Sequence, residues 1–317
     1  MKMIFILLLS PLLAYAMPTE PVSPITNEYD STNGLIARLD FEQADQIVEA
    51  LLRVEAYYEQ QGFADRVMER LRLVAPTPNL TKWRTMVQHI TKPHARVKIC
   101  VVGKYTDYID SYKSVQEALI HGGIANDVGV DLAWTSSDLF TSPERAREIL
   151  SSFHGLLVPG GFGVRGVEGM VEAIRASREL SIPFFGICLG MQAAIIEFAR
   201  HVLHLGDSHS SEFAPECSDP VISLMDSQRD VTDMGGTMRL GAYPCRLQRG
   251  SKAAEVYGQP EVSERHRHRY EVSNRYRDTL IEHGMRLSGV SPDDSLVEMI
   301  ELPSHPYFIG CQFHPEL

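Results

Sequence analysis

The spacing of apolar residues changes once along this chain, between residues 90 and 97. Before that point Ile47, Leu51, Val54 and Tyr58 recur at intervals of three and four, which predicts a helix over 41–73 closed by Pro76 and Pro78. A shorter amphipathic helix is predicted over 80–90, and Lys92-Pro93-His94 reads as a domain boundary. Beyond it, compact apolar runs at 97–102, 130–134, 155–158 and 184–187 alternate with helical periodicity at 111–121, 143–152, 167–178 and 191–202. Thr141 or Ser142 opens the second of those helices. Such alternation predicts an α/β fold, a mostly parallel sheet flanked by helices and preceded by a helical linker. Right-handed crossovers bring the C-terminal ends of parallel strands to one edge, where folds of this class hold ligands. From residue 221 onward the texture shifts to shorter strands with turns, the last two at 296–300 and 307–313.

Composition narrows the function classes. With 44% hydrophobic and 22% charged residues, the chain is neither disordered nor fibrous, and its length suits one large domain or two small ones. A net charge of −11 argues against a nucleic-acid binder. The five cysteines, Cys100, Cys188, Cys217, Cys245 and Cys311, are scattered and odd in number, and none are spaced C-x-x-C. They predict free thiols in a reducing compartment. The first 16 residues point the other way: Lys2, an apolar run from Met3 to Leu13, then Ala14-Tyr15-Ala16 have the layout of a secretory signal peptide, too short to span a membrane. A polar connector rich in Pro, Ser and Thr follows, and the Asn79-Leu80-Thr81 sequon matters only for an exported chain.

The sharpest local chemistry is Gly186-Ile187-Cys188-Leu189-Gly190, where a strand enters a G-x-C-x-G turn and leaves as a helix. Cys188 takes the position that serine holds in a nucleophile elbow, at a helix N-terminus that favours thiolate. Near the far end, His314-Pro315-Glu316 follows an apolar strand. In extended chain, residues two apart point the same way, so Glu316 is expected to orient the His314 imidazole as base. A third element, Pro159-Gly160-Gly161-Phe162-Gly163-Val164-Arg165-Gly166, contains a literal G-x-G-x-x-G. The acid that a dinucleotide site needs about 20 residues on is missing from 181–184, which disfavours that reading. The better use is a bare backbone N–H of Gly161 aimed at an oxyanion, paired with that of Leu189; each such donor is worth about 10²–10³ in rate. The basic stretch from Glu264 to Glu271 suits capture of an anion such as a carboxylate, no metal site is expected, and no G-x-x-x-x-G-K-[ST] phosphate loop occurs.

With these residues in hand, the chain resembles the CTP synthase family in its C-terminal class I glutamine amidotransferase domain. The strings that carry the likeness are Gly103-Lys104-Tyr105 with Asp110-Ser111-Tyr112-Lys113-Ser114, VPGGFGVRGVEGM from Val158, GICLGMQ from Gly186, Ser211-Glu212-Phe213, MGGTMRLG from Met234, ERHRHRYEV from Glu264 and CQFHPE from Cys311. The resemblance implies a flavodoxin-like architecture in which Cys188 attacks the side-chain amide of L-glutamine. Gly161 and Leu189 would hold the oxyanion, and His314, oriented by Glu316, would protonate the departing ammonia. Gly161, Leu189, Gly190, Met191, Gln192, Glu212 and Arg269 match glutamine-binding positions, Arg269 for the α-carboxylate and Glu212 for the α-amino group. Phe162 and Arg165 fall in the loop where GTP is expected to act as allosteric effector. No cofactor is implied for this domain; ATP and Mg2+ belong to a synthetase domain that aminates UTP in a homo-oligomeric, cytoplasmic enzyme.

Most of that synthetase domain is expected to be missing from this chain, whose sequence stops one residue after Glu316. The expected organisation is therefore a signal-like leader at 1–16, a connector at 17–32, a synthetase remnant with linker at 33–94, and a C-terminally truncated amidotransferase domain at 95–317. Two alternatives stand beside a glutaminase part: an independent γ-glutamyl hydrolase, secreted if the leader is genuine, and a non-catalytic partner of full-length synthase.

Overall fold

The computed structural model describes residues 61–73, 81–104, 109–224 and 238–317. The leader, the connector and most of the helix predicted over 41–73 lie outside these residues. What is described of that helix is α1, Phe63–Leu71. The second predicted helix is α2, Thr81–Thr91, which buries Val87; the His89 ring Nδ1 donates to the Ile124 carbonyl at 2.8 Å.

The alternating elements follow as β1 (Ala95–Gly103), α3 (Lys113–Ala125), β2 (Val128–Ser136), α4 (Pro143–Leu150), β3 (Gly155–Val158), α5 (Val167–Glu179), β4 (Phe184–Ile187) and α6 (Leu189–His201). Two small differences have local causes. A 3₁₀ turn at Ile109–Tyr112 delays α3, and Ser142 rather than Thr141 caps α4, its hydroxyl accepting from the Arg145 N–H at 3.2 Å. The later elements are β5 (Ser208–Ser210), β6 (Asp219–Ser223), β7 (Arg239–Leu247), α7 (Lys252–Tyr257), β8 (Glu261–His268), β9 (Glu271–Val272), α8 (Arg277–Glu282), β10 (Arg286–Val290), β11 (Val297–Glu301) and β12 (Phe308–Cys311).

Nine strands form one sheet in the order β2-β1-β3-β4-β12-β11-β10-β7-β8, and β5-β6-β9 form a second, small one. The main sheet is mixed. Pairings from β2 through β12 are parallel, as the helical crossovers require, whereas those from β12 through β8 are antiparallel. Helices flank the sheet as expected, and its parallel character is confined to the half that carries the βα alternation.

The apolar runs are continuous because both faces of the parallel half are covered. Cys100, Val102, Leu156, Val158 and Phe184 join one core cluster with Leu150, Ile174 and Ile195, while Ile99, Val101, Leu157, Phe185 and Ile187 face the other with Leu119 and Val256. Each fully buried Ile or Phe contributes about 1.5–3 kcal/mol. Helix α6 lies deepest, buried from Leu189 through Ala199. Its one carboxylate there, Glu197, is fully buried and paired with Arg178, whose Nε and Nη2 donate at 3.0 and 2.7 Å.

Candidate active site

Strand β4 ends at Ile187, and Cys188 turns the chain into α6 with φ 50° and ψ −101°. A positive φ costs a residue with a Cβ on the order of 1–3 kcal/mol and persists only where the surroundings impose it. Here the Cys188 N–H donates to the Cys311 carbonyl at 2.7 Å, and the Gln192 N–H to the Cys188 carbonyl at 3.2 Å. Gly190 lets α6 start this close, because a β carbon there would stand 2.1 Å from the Val158 carbonyl oxygen. Gly160, past the end of β3, makes room in the same way: its β carbon would stand 2.7 Å from His314 Cε1 and 3.5 Å from Cys188 Cβ. The ends of β3, β4 and β12, adjacent in the sheet, thus converge on one sulfur.

His314 is held at both ends. Its backbone N–H donates to the Arg265 carbonyl at 2.7 Å, and Nδ1 lies 2.9 Å from Glu316 Oε1. That contact was expected from extended chain. Instead β12 stops at Cys311, the backbone bends, and the pair meets within a turn closed by Leu317 N–H on the His314 carbonyl. Burial pulls the His314 imidazolium down, but hydrogen bonds to Cys188 and Glu316 and their charges outweigh it and carry the pKa up to about 10.

Two cavities meet at Cys188. The smaller, about 240 Å³, is lined by Gly161, Phe162, Leu189, Gln192, Glu212, Met238, His268, Arg269 and Tyr270 besides the cysteine. Six of the residues singled out by sequence therefore line one cavity with Cys188: Gly161, Phe162, Leu189, Gln192, Glu212 and Arg269. Burial pushes the Glu212 carboxyl up, against the opposing charges of Lys104 and Arg269. Gly190 and Met191 are not among the lining residues; Gly190 packs on Val158, and the fully buried Met191 side chain packs where a β carbon on Gly310 would go. The larger cavity, about 390 Å³, shares Gly161, Phe162 and Cys188 and opens on Tyr112, Arg265, Arg267, His314 and Glu316.

The basic stretch resolves into strand β8 with strict alternation. Glu264, His266 and His268 point inward and Arg265 and Arg267 outward. The two inward histidines join a buried ion network, in which Arg239 donates to Glu271 at 3.1 Å and Glu298 at 2.8 Å, His266 meets Glu298 at 2.8 Å and His268 meets Glu271 at 2.7 Å, while Glu264 accepts from the Tyr257 hydroxyl at 2.9 Å. Of the arginines in this stretch, Arg269, beyond the strand's end, lines the smaller cavity, whereas Arg265 and Arg267 line the larger one.

Two site residues escaped the sequence reading. Lys104 is buried, donates from Nζ to the Phe162 carbonyl at 3.3 Å and to the Gly163 carbonyl, and lies over the Phe213 ring. Burial lowers its pKa to about 8, with Arg165 adding to the effect and Glu212 opposing it. Arg165 answers with a hydrogen bond to the Lys104 carbonyl, and the Arg267 guanidinium sits 5.6 Å from the Phe162 ring. The loop that carries Gly161 is therefore clamped by three cations. The second is Gln312, fully buried, whose Nε2 lies 3.7 Å from Cys188 Sγ. A lysine or glutamine in a motif carries no sign of its burial, so only spatial neighbours reveal either role.

The family model for glutamine amidotransferase class-I matches residues 107–317. CTP synthase of Geotalea uraniireducens is 50% identical over 269 residues, which cover 84% of this chain and 50% of that protein. CTP synthase of Clostridium kluyveri is 48% identical over 295 residues, covering 92% of this chain and 55% of that one. The chain spans about half the length of the curated relatives it matches. Among solved structures, the glutaminase domain of Trypanosoma brucei CTPS with bound acivicin superposes with a TM-score of 0.66 at 40% identity, over 69% of this chain and 86% of that one.

Proposed function

Because the chain belongs to the class-I glutamine amidotransferase family, we propose that it hydrolyses L-glutamine at Cys188 and supplies the ammonia to a CTP synthase reaction. The observation that carries this reading is the convergence of Cys188, His314 and Glu316 beside a cavity whose wall holds one carboxylate, Glu212, and one guanidinium, Arg269. Those two charges are complementary to the α-ammonium and α-carboxylate of a free amino acid.

In this mechanism the Cys188 sulfur attacks the amide carbon, and the carbonyl oxygen takes up charge between the N–H groups of Gly161 and Leu189. The raised pKa of His314 keeps its imidazole protonated at neutral pH, so it donates to the departing nitrogen. The neutral imidazole then takes a proton from water, which hydrolyses the glutamyl thioester to glutamate and frees the thiol. Ammonia leaves by the larger cavity, on the His314 side, toward the synthetase half of the enzyme. ATP, Mg2+ and UTP act in that half, which also assembles the homo-oligomer, and its nucleotide substrates place the enzyme in the cytoplasm. GTP acts on the clamped loop through Phe162 and Arg165. Among the described residues no helix is long and apolar enough to cross a membrane.

The test is ammonia release from L-glutamine by the full chain. Cys188→Ala is expected to lower it by about 10⁴-fold or more, as for loss of a nucleophile elsewhere. Undiminished release in that variant overturns the assignment.

A further inference from the structure

Gln312 spans the nucleophile and the substrate cavity. Its Nε2 donates to Cys188 Sγ at 3.7 Å, and its Oε1 accepts from Gln192 Nε2 at 3.2 Å. The orientation of both amides follows from one fixed acceptor. Gln192 Nε2 also donates to the Tyr270 carbonyl at 3.0 Å, and a carbonyl only accepts. Gln192 therefore presents N–H to Gln312, which must present its oxygen in return and turn its own N–H to the sulfur. The backbone beneath the amide is fixed as well: the Gln312 N–H donates to the Glu298 carbonyl at 2.8 Å, and the Glu298 carboxylate is tied to Arg239 and His266. Gln312 is fully buried, so no solvent competes for the amide.

A thiolate is a far stronger acceptor than a thiol, so an N–H fixed on the sulfur favours the charged form. The other titratable groups around the sulfur are His314, with Glu316 behind it, and Cys311 on β12. We propose that Gln312 is a catalytic residue of the glutaminase reaction, its side-chain N–H holding the Cys188 thiolate for attack, and that Gln192 aligns it from the substrate cavity. The inference rests on the glutaminase reading, yet it is tested by a reaction that needs no glutamine.

Alkylation of Cys188 by iodoacetamide is followed by mass across a pH series in the full chain, with Cys188→Ala as blank. Gln312→Leu removes the donor, and the pH midpoint of alkylation is expected to rise by about one to two units, the worth of one hydrogen bond to a charged group. Glutaminase kcat falls with it, at a KM within about threefold of the parent. Gln312→Met is close to glutamine in length and carries no N–H donor, so it too must raise the midpoint, and it serves if the leucine variant does not fold. An unchanged midpoint in a folded variant of either kind overturns the inference. If Cys188→Ala retains glutaminase activity, the proposed function fails instead, and the alkylation midpoint still reports on Gln312.

Discussion

Cys188 owes its position to neighbours in sequence, whereas its chemistry depends on residues more than a hundred positions away. Gly186 and Gly190 make the turn legible from a short string, because steric crowding at a strand-to-helix turn is local. The partner His314 was legible as a candidate, and the turn that joins it to Glu316 was not, since extended chain and a tight turn can bring the same two side chains together. Lys104 offers a test at this scale. Lys104→Met removes the ammonium from the Phe162 and Gly163 carbonyls, so kcat for ammonia release is expected to fall about 10- to 100-fold as the Gly161 N–H loses its aim. Titration supplies a second. The His314 pKa stands at about 10 in the folded protein against an ordinary 6.5, so its contribution to stability is complete below about pH 6.5 and is lost as pH rises through 10. Lys104 works in the opposite sense between about 8 and 10.5, where the unfolded chain binds more protons. In urea titrations at stepped pH, His314→Gln should therefore flatten the decline of stability between about pH 6.5 and 8, where Lys104 has little influence.

Elements are most legible in the sequence where burial on both faces leaves an unbroken apolar run. Strands β3 and β4 fall at the predicted residues, 155–158 and 184–187. The stretch at 261–268 was less legible, because charged residues on alternate positions of a strand look like a solvated loop until the inward set finds partners. How these elements approach one another yields a paired prediction. Gly190→Ala drives a β carbon into the Val158 backbone, and the cost is expected as about 1–3 kcal/mol of stability. Gly160→Ala instead displaces the His314 ring, a side chain at the rim of a cavity, so ammonia release should fall at least about tenfold with the melting temperature within a few degrees of the parent. Thermal unfolding and ammonia assays on both variants decide whether helix seating and base placement are separable in this way.

At the scale of the whole molecule, Arg239 ties β7 to β11 and β9 through two buried carboxylates, and the same network lies beneath the strand that carries Arg265, the backbone partner of His314. Arg239→Met leaves Glu271 and Glu298 buried with less compensation, and such a loss typically costs about 3–5 kcal/mol. A urea midpoint unchanged from the parent would show that the network bears little of the stability.

From local pattern alone the sequence determined the α/β alternation, the buried strands, the nucleophile turn and the choice of Cys188, His314 and Glu316 as candidates. Each depends on periodicity or sterics within a few residues. Tertiary structure alone decided that half the sheet runs antiparallel, that the Gly161 loop is clamped by buried Lys104, and that Gln312 faces the sulfur. Those outcomes depend on which strand ends meet: Gln312 stands 124 positions from Cys188 and 120 from Gln192, separations over which no local pattern carries information.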